Sequence, residues 1–505
     1  MASKTEIFRI KPSDTGVIHV AERIDPKALG ELEKRTRVIT ELPLTQYRKD
    51  VDHLAMLSPD ASGFRPMMEL SAREWKSIDD VDLSGKTVFM RAEMNVPKKD
   101  GQISDYSRLD PVADTIKTCI EKGAKKIYLV AHLGRPKGKV VEAERLDVVA
   151  KALNERYGIP VEKLDDCVGA DVEDKFASSK ARVVLGENLR FHPEEEAKDL
   201  TDPARVEFVK SLARVIGWEE GKPNEDLVFV NAGYGLVHRA HASNTGVAGL
   251  LPVAVMDRTV EKEVNFMLNR LKNPDRPMTI ALSGIKDEKG EALDSELVLG
   301  ADHVIVGSGL APMLFMRKED AQNVSGLSFQ KEGTWDTVQK MKARLGSKLI
   351  APNDLILLPE GEKDMSKAIP VEMKPDSSGF VPAGTIPQGY RIVDVGPKSR
   401  DKMRESVQQS KSLVWFGPLG DPRVANDTNQ SLIDAAKDSQ VPIIGGGGDT
   451  NEMLKTLGAS NVVFLSTGGG ASLHLLKFAD APGLSIMTPT EPGNQITEFF
   501  KQARG

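Results

Sequence analysis

Residues 110–134 read DPVADTIKTCIEKGAKKIYLVAHLG, and the change of period inside this stretch decides the fold. Val112, Ile116, Cys119 and Ile120 fall on one face of a helix expected from Asp110 to Lys122. Gly123 interrupts that register, and KKIYLVAHLG then runs as a strand ending on His132 and Gly134. Outward from it, KTVFMRAEM (86–94), ARVVLGENL (181–189) and DLVFVNAG (226–233) repeat the same unit, an apolar run that finishes in polar or basic residues. Strands alternating with helices predict an α/β chain with a parallel sheet covered on both faces, whose ligands gather at the carboxyl ends of the strands.

The same grammar restarts after Pro277 with MTIALSG, ADHVIVGSG, SKLIAPNDLILLP, SLVWFGP, VPIIGGGG and NVVFLSTGGG. Between the halves, Val260, Val264, Met267, Leu268 and Leu271 keep a helical register inside 253–272, which reads as one long helix joining two lobes or as a helix inside one domain. Residues 1–70 follow no such pattern and receive no fold, although 26–36 make a short helical candidate.

With 505 residues the chain is too long for one ordinary core. Its net charge of −6 argues against a general nucleic-acid binder and confines any anion site to a local patch. Two cysteines form neither a disulfide framework nor a cysteine-rich zinc site, so a reducing compartment is the default. No apolar run is long enough to span a bilayer, the first residues lack an apolar signal core, and the last ones lack the peroxisomal tripeptide. These features lead to the expectation of a cytoplasmic chain with no membrane or nucleic-acid partner.

The basic residues Arg91, Arg108, His132, Arg135, Arg190, His238, Arg239 and His241 stand at expected strand ends or in the loops that follow. Taken singly, each arginine is better read as a surface ion pair. Together at one sheet edge they make a fork-shaped anion receptor for a small acidic substrate. In the second half, IIGGGGDT (443–450) and STGGGAS (466–472) each follow an apolar strand and precede a helical stretch. Glycine there exposes backbone amides at a helix start, which favours bound phosphate. Asp449 is equally a Mg²⁺ ligand beside phosphates or a helix cap, and Lys286 is a surface lysine unless it accompanies a transferring phosphoryl group.

From about Ser71 to Gly505 the chain resembles phosphoglycerate kinase, on FMRAEMNVPKKDGQI, KGAKKIYLVAHLGRPKG, GENLRFHPEEEAKD, VHRAHASNTGV, IIGGGGDT and STGGGASLHLL. The resemblance implies two Rossmann-like, doubly wound parallel-sheet lobes joined by a hinge helix. It places a phosphoglycerate lobe at 71–257 and 487–505, the interdomain helix at 258–274 and a nucleotide lobe at 275–486, after an extension at 1–70. It implies reversible transfer of the acyl phosphate of 1,3-bisphosphoglycerate to ADP, with Mg²⁺, in a monomer. By the same resemblance Arg91, Glu93, Asn95, Arg108, His132, Arg135, Arg190 and Arg239 bind phosphoglycerate. Gly284, Lys286, Lys289, Pro418, Gly447, Gly448, Asp449, Thr450, Gly468, Gly469 and Gly470 serve the nucleotide, with Asp449 on the metal and Arg108, Lys286 and Gly469 catalytic.

The chain departs from the family pattern mainly in the second half. Glu93-Met94-Asn95 stands for Asp-Phe-Asn, and Asn231-Ala232-Gly233 loses an acid. Gly290 takes the place of a second phosphate-binding lysine, Phe416 that of an asparagine, and Asp421-Pro422-Arg423 that of a Val-Phe-Glu whose glutamate contacts the ribose. Two expectations follow: an active kinase with altered nucleotide preference or reduced turnover, or a non-catalytic descendant that binds phosphoglycerate as a sensor or scaffold.

Overall fold

The computed structural model describes residues 8–12, 18–23, 75–222, 224–272, 274–283, 296–325, 334–478 and 481–487. Phe8–Pro12 and Ile18–Arg23 pair antiparallel, with Phe8 opposite Arg23. The helical expectation for 26–36, the glycine and lysines Gly284, Lys286 and Lys289, and residues 488–505 lie outside the described residues. Trp75–Pro489 forms one compact unit that contains both large sheets.

The first sheet comprises β1 (Thr87–Ala92), β2 (Lys126–Val130), β3 (Val161–Lys163), β4 (Val183–Leu185), β5 (Leu227–Ala232) and β6 (Val253–Met256), all parallel. Their spatial order is β6-β5-β1-β2-β4-β3. β5 is buried at every position, as a strand with helices on both sides must be. Alternate residues serve opposite faces: Val88, Met90, Ile127 and Leu129 belong to one apolar cluster, while Phe89, Tyr128 and Val130 belong to another. The helix α1 (Leu109–Glu121) buries Val112, Ile116 and Cys119 against the first of these, close to the expected span.

The second sheet comprises β7 (Met278–Leu282), β8 (His303–Val306), β9 (Leu349–Ile350), β10 (Ser412–Phe416), β11 (Ile443–Gly446) and β12 (Val462–Ser466), again parallel. Its order, β9-β8-β7-β10-β11-β12, runs two strands one way from β7 and three the other way. That is the doubly wound order in which ligands meet the sheet where the winding reverses, between β7 and β10. In the first sheet the corresponding reversal lies between β1 and β5.

Two readings of the sequence need correction. The expected helix over 253–272 is a strand followed by a helix: Val253–Met256 pairs with β5, and α2 spans Arg258–Lys272. Val253, Met256 and Val260 fit a helical period by spacing alone, but parallel pairing to a buried neighbour takes the first four residues. The run SKLIAPNDLILLP is two strands in two sheets. After β9, Asp354–Pro359 enters a separate antiparallel sheet between Ile369–Glu372 and Tyr390–Val395.

At the reversal point, Gly417 adopts φ +91°, and a Cβ there would run into the carbonyl oxygen of Ser283. Gly361 has φ +78° with nothing within 4 Å of an added Cβ. Both lose the left-handed freedom of glycine on substitution, but only Gly417 also meets immovable backbone. Gly417→Ala is therefore expected to cost about 1–3 kcal/mol more than Gly361→Ala in urea unfolding; equal costs would show that the close approach at the reversal point is absent.

Candidate active site

The basic side chains are carried to one edge by the ends of four parallel strands. Arg91 is the last residue but one of β1, with Glu93 and Asn95 just beyond the strand; Arg108 precedes the first turn of α1; His132 and Arg135 follow β2; Arg190 lies in the Leu189–Phe191 turn after β4; His238, Arg239 and His241 follow β5. The strand-end prediction thus gathers residues separated by some 150 positions of sequence into one region.

They are not equivalent once placed. Arg91 is fully buried: Nε donates to Ser243 Oγ (2.7 Å), Nη1 to the Ala92 carbonyl (2.6 Å), and Nη2 lies 3.5 Å from Glu195 Oε1 and 3.2 Å from His132 Nδ1. It supports the site from behind, and Glu195, 0 % exposed, is its counter-charge. Burial raises the Glu195 carboxyl, while Arg91 and two bonds from Ser243 oppose that shift. An arginine only donates, so His132 Nδ1 must accept and Nε2 carries the ring proton.

Burial, then Arg91, Arg190, His241 and Arg239, push the His132 ring well below its ordinary range. Burial and Arg239 bring His238 down to about 3, and burial with Arg91 and Arg239 brings His241 down to about 2. At neutral pH the imidazoles are neutral, and the positive field belongs to the guanidiniums alone. Arg190 Nη1 donates to the Gly134 carbonyl (2.9 Å), and Arg135 is exposed with no side-chain partner among the described residues. Arg190 Nε is buried without a hydrogen-bond partner, a costly state that a bound anion would relieve, whereas His241 Nδ1 lies 3.6 Å from Glu195 Oε1.

Asn95 turns Oδ1 to the Gly134 amide (2.9 Å), leaving its Nδ2 without a partner among the described residues. Arg108 Nη1 holds the Asn95 carbonyl (2.9 Å) and Glu93 Oε1 (3.2 Å), so the longer acid at position 93 still anchors this arginine. The other edge of Arg108 points to the second half: its Nη2 lies 3.9 Å from where a Cβ on Gly448 would stand.

Gly447 (φ +96°) leads into α3 (Gly448–Thr456), whose first turn holds the exposed Asp449. Asp449 is not the helix cap, since Gly447 has that place, and its carboxylate has no hydrogen-bond or ion-pair partner among the described residues. Thr450 is buried, and its hydroxyl accepts from the Gly417 amide (2.8 Å), tying this loop to the end of β10 beside Pro418. Gly468, which leads into α4 (Gly469–Phe478), lies against the Tyr234 ring and the Gly235 backbone. A Cβ on Gly468 would lie 2.9 Å from Gly235 Cα, one on Gly469 2.9 Å from Gly447 Cα, and one on Gly470 3.2 Å from His238 Nε2.

Of the positions that depart from the family pattern in the second half, Phe416 and Asp421–Arg423 lie among the described residues, and Gly290 lies outside them. Phe416 is buried in the core with Val414 and Ile444, its ring filling the space that Gly446 leaves. Arg423 closes on Asp421 (2.8 and 2.9 Å), which also takes Arg391 Nη1 (2.7 Å).

The family model described as Phosphoglycerate kinase matches residues 78–478. The chain belongs to the phosphoglycerate kinase family. A phosphoglycerate kinase of Dictyoglomus turgidum is 35% identical over 418 residues, covering 81% of this chain and 97% of that protein. One of Yarrowia lipolytica is 36% identical over 433 residues, covering 82% and 98%. Among solved structures, phosphoglycerate kinase from Pyrococcus horikoshii OT3 aligns with a TM-score of 0.62 at 25% identity, over 82% of this chain and 98% of that one. The enzyme from Coxiella burnetii aligns at 0.60 and 26%, over 82% and 99%.

Sequence reasoning missed the acids and hydroxyls that hold this family site together. Glu263 of α2, 3 % exposed, accepts from Ser466 Oγ (2.6 Å), Thr467 Oγ1 (2.6 Å) and the Thr467 amide (3.1 Å). Because a carboxylate only accepts, Ser466 donates to it, Ser472 donates to Ser466 (2.7 Å), and Tyr234 donates to Ser472 (3.0 Å). The chain of donors links the first sheet's turn, the glycine loop and the joining helix. In the sequence Glu263 is one of three consecutive charges, Glu261, Lys262 and Glu263, between the apolar positions Val260 and Val264, with nothing to set it apart.

Asp257 caps α2 through the Val260 amide (2.7 Å) and accepts from Thr115 Oγ1 of α1 (2.7 Å). Burial raises its carboxyl to about 6 from an ordinary value of 3.8. Between those two values the folded state keeps a proton that the unfolded state has released, so this residue's contribution to stability falls as pH rises from about 4 to 6. Asp257→Asn keeps the cap and removes the titration. Relative to wild type, the variant is expected to gain on the order of 2–3 kcal/mol between pH 4 and 7 in denaturant unfolding; parallel pH curves would refute this.

Proposed function

We propose that the chain is an active phosphoglycerate kinase that transfers the acyl phosphate of 1,3-bisphosphoglycerate to a nucleoside diphosphate, reversibly, at the junction of its two sheets. The observation that carries this reading is the approach of Arg108 to Gly448. A guanidinium anchored in the arginine cluster reaches the amide-rich start of a helix from the other half. Phosphoryl transfer needs little covalent work from protein, only in-line placement, neutralisation of crowded oxygens and exclusion of water. The arginine cluster and the amide-rich helix starts supply the charge neutralisation.

In this reading Arg135, Arg190 and Arg239 take the phosphate of phosphoglycerate, with His132 donating from Nε2. Asn95 orients the triose through Nδ2, and Arg108 stabilises charge on the group in flight. Arg91 acts through Ser243, His132 and Glu195 rather than on the ligand. The amides around Gly447, Gly448 and Gly468–Gly470, at the starts of α3 and α4, receive the nucleotide phosphates. Lys286 is assigned to the phosphoryl group, with Gly284, Lys289 and Pro418 at the nucleotide, on the family resemblance.

Asp449 suits Mg²⁺, which keeps several waters and needs one or two carboxylates, because its carboxylate is exposed and unpaired beside the glycine amides. Bound there, the ion would neutralise phosphate charge. The reducing cytosol remains the proposed compartment, in keeping with the free, buried Cys119 and Cys167, and the proposed state is a monomer. No described helix is long and apolar enough to cross a membrane. None of these observations favours the non-catalytic alternative.

A coupled assay with 3-phosphoglycerate, Mg²⁺ and a panel of nucleoside triphosphates tests the proposal. Turnover is expected with at least one nucleotide, and none with any would refute it. Asp449→Asn is expected to lower kcat/KM for the nucleotide by about 10–100-fold while leaving phosphoglycerate affinity unchanged, as measured by steady-state kinetics and calorimetry.

A further inference from the structure

Two neighbouring acids in the Pro193–Glu196 turn face the arginine cluster, and they are held in opposite ways. Glu195 is fully buried, with its oxygens fixed by the Ser243 amide (2.9 Å), Ser243 Oγ (2.6 Å) and Arg91 (3.5 Å). Glu196 is 42% exposed in its side chain and meets the cluster through its nearer oxygen. That oxygen, Oε1, lies 2.6 Å from Arg190 Nη2, 3.7 Å from His241 Nε2 and 4.0 Å from Arg239 Nη1.

A single anionic oxygen at the convergence of two guanidiniums and an imidazole occupies the kind of locus that a phosphate oxygen would take. Arg190 leaves Nε buried and unpartnered beside the Nη2 that Glu196 holds. Its Nε and Nη2 form the fork that binds a tetrahedral anion bidentately, and Glu196 uses only half of it. We propose that Glu196 is an internal competitor for the phosphate of the phosphoglycerate ligand, releasing Arg190 and Arg239 when that ligand arrives, and so sets its affinity. The inference rests on the reading of these arginines as the phosphoglycerate site.

Two effects of Glu196 are separable. As a competing anion it weakens ligand binding; as a scaffold aligning two arginines it strengthens it. Removing the charge gives opposite signs in the two cases. Full-length wild type, Glu196→Gln and Glu196→Ala should be titrated calorimetrically with 3-phosphoglycerate and, separately, with inorganic phosphate, with thermal unfolding confirming that each variant is folded. Both variants are expected to bind both anions roughly three- to tenfold tighter and to lose affinity more steeply with added salt, since one neutralising charge is gone. The KM for 3-phosphoglycerate should fall while that for the nucleotide stays fixed.

Equal or weaker binding by folded Glu196→Gln would overturn the inference and make Glu196 a scaffold for the arginines. Wild type failing to bind 3-phosphoglycerate would refute the site assignment itself. Tighter inorganic phosphate binding in the variants would then be required for the competitor role to survive. Glu196→Ala, which lacks the hydrogen-bond acceptor as well, separates charge from shape: a gain in Gln that is lost in Ala would also overturn a purely electrostatic competition.

Discussion

The contact on which the site depends is backbone against backbone: Gly468 beside Gly235, and Gly469 beside Gly447. No side chain fits at either approach, so the turn after β5, the start of α3 and the start of α4 share one narrow junction. The donor chain from Tyr234 through Ser472 and Ser466 to Glu263 fastens that junction to α2. Tyr234, Val264, Ala471 and Leu475 pack around it in a single apolar cluster. The proximity of Arg108 to Gly448 follows from this packing.

Charge is organised in depth around the junction. Behind the surface, Arg91 and Glu195 neutralise each other inside the protein, where an unpaired charge would be prohibitive. In front, Arg108, Arg190 and Arg239 are only partly satisfied by Glu93 and Glu196. The imidazoles between the layers are held neutral, so His132 presents a fixed Nε2–H donor whatever the pH near neutrality. A rigid donor and a partly satisfied arginine set suit an anion that must be held firmly and then released.

Much of this was legible in the sequence. Apolar runs that end on Arg91, His132 or Asn231 place those residues at strand ends because a strand buried on both faces has an unmistakable composition. What was not legible has physical causes. An arginine at a strand end reads the same whether its guanidinium faces ligand or, as with Arg91, a buried glutamate. The strand Val253–Met256 shares helical spacing with the residues after it, and only its neighbour β5 decides its conformation. The sheet around Asp354–Pro359 is built from short segments whose pairing is antiparallel and non-local, which no periodicity announces. Glu263 and Asp257 act through partners on remote segments, Thr467 and Thr115, so their roles exist only in three dimensions.

The central claim is that the arginine cluster and the two glycine-led helices form one site with both substrates in line. A crystal structure with 3-phosphoglycerate and a magnesium nucleoside diphosphate together measures this most directly. The account predicts the phosphoglycerate phosphate on Arg190 and Arg239, and its carboxylate facing the terminal nucleotide phosphate across the space between Arg108 and Gly448. The gap between them should leave room only for the transferring group, which on contact with either side stands about 3–3.5 Å from the attacking oxygen. Phosphoglycerate bound away from those arginines, or a nucleotide directed away from Gly448, would contradict it.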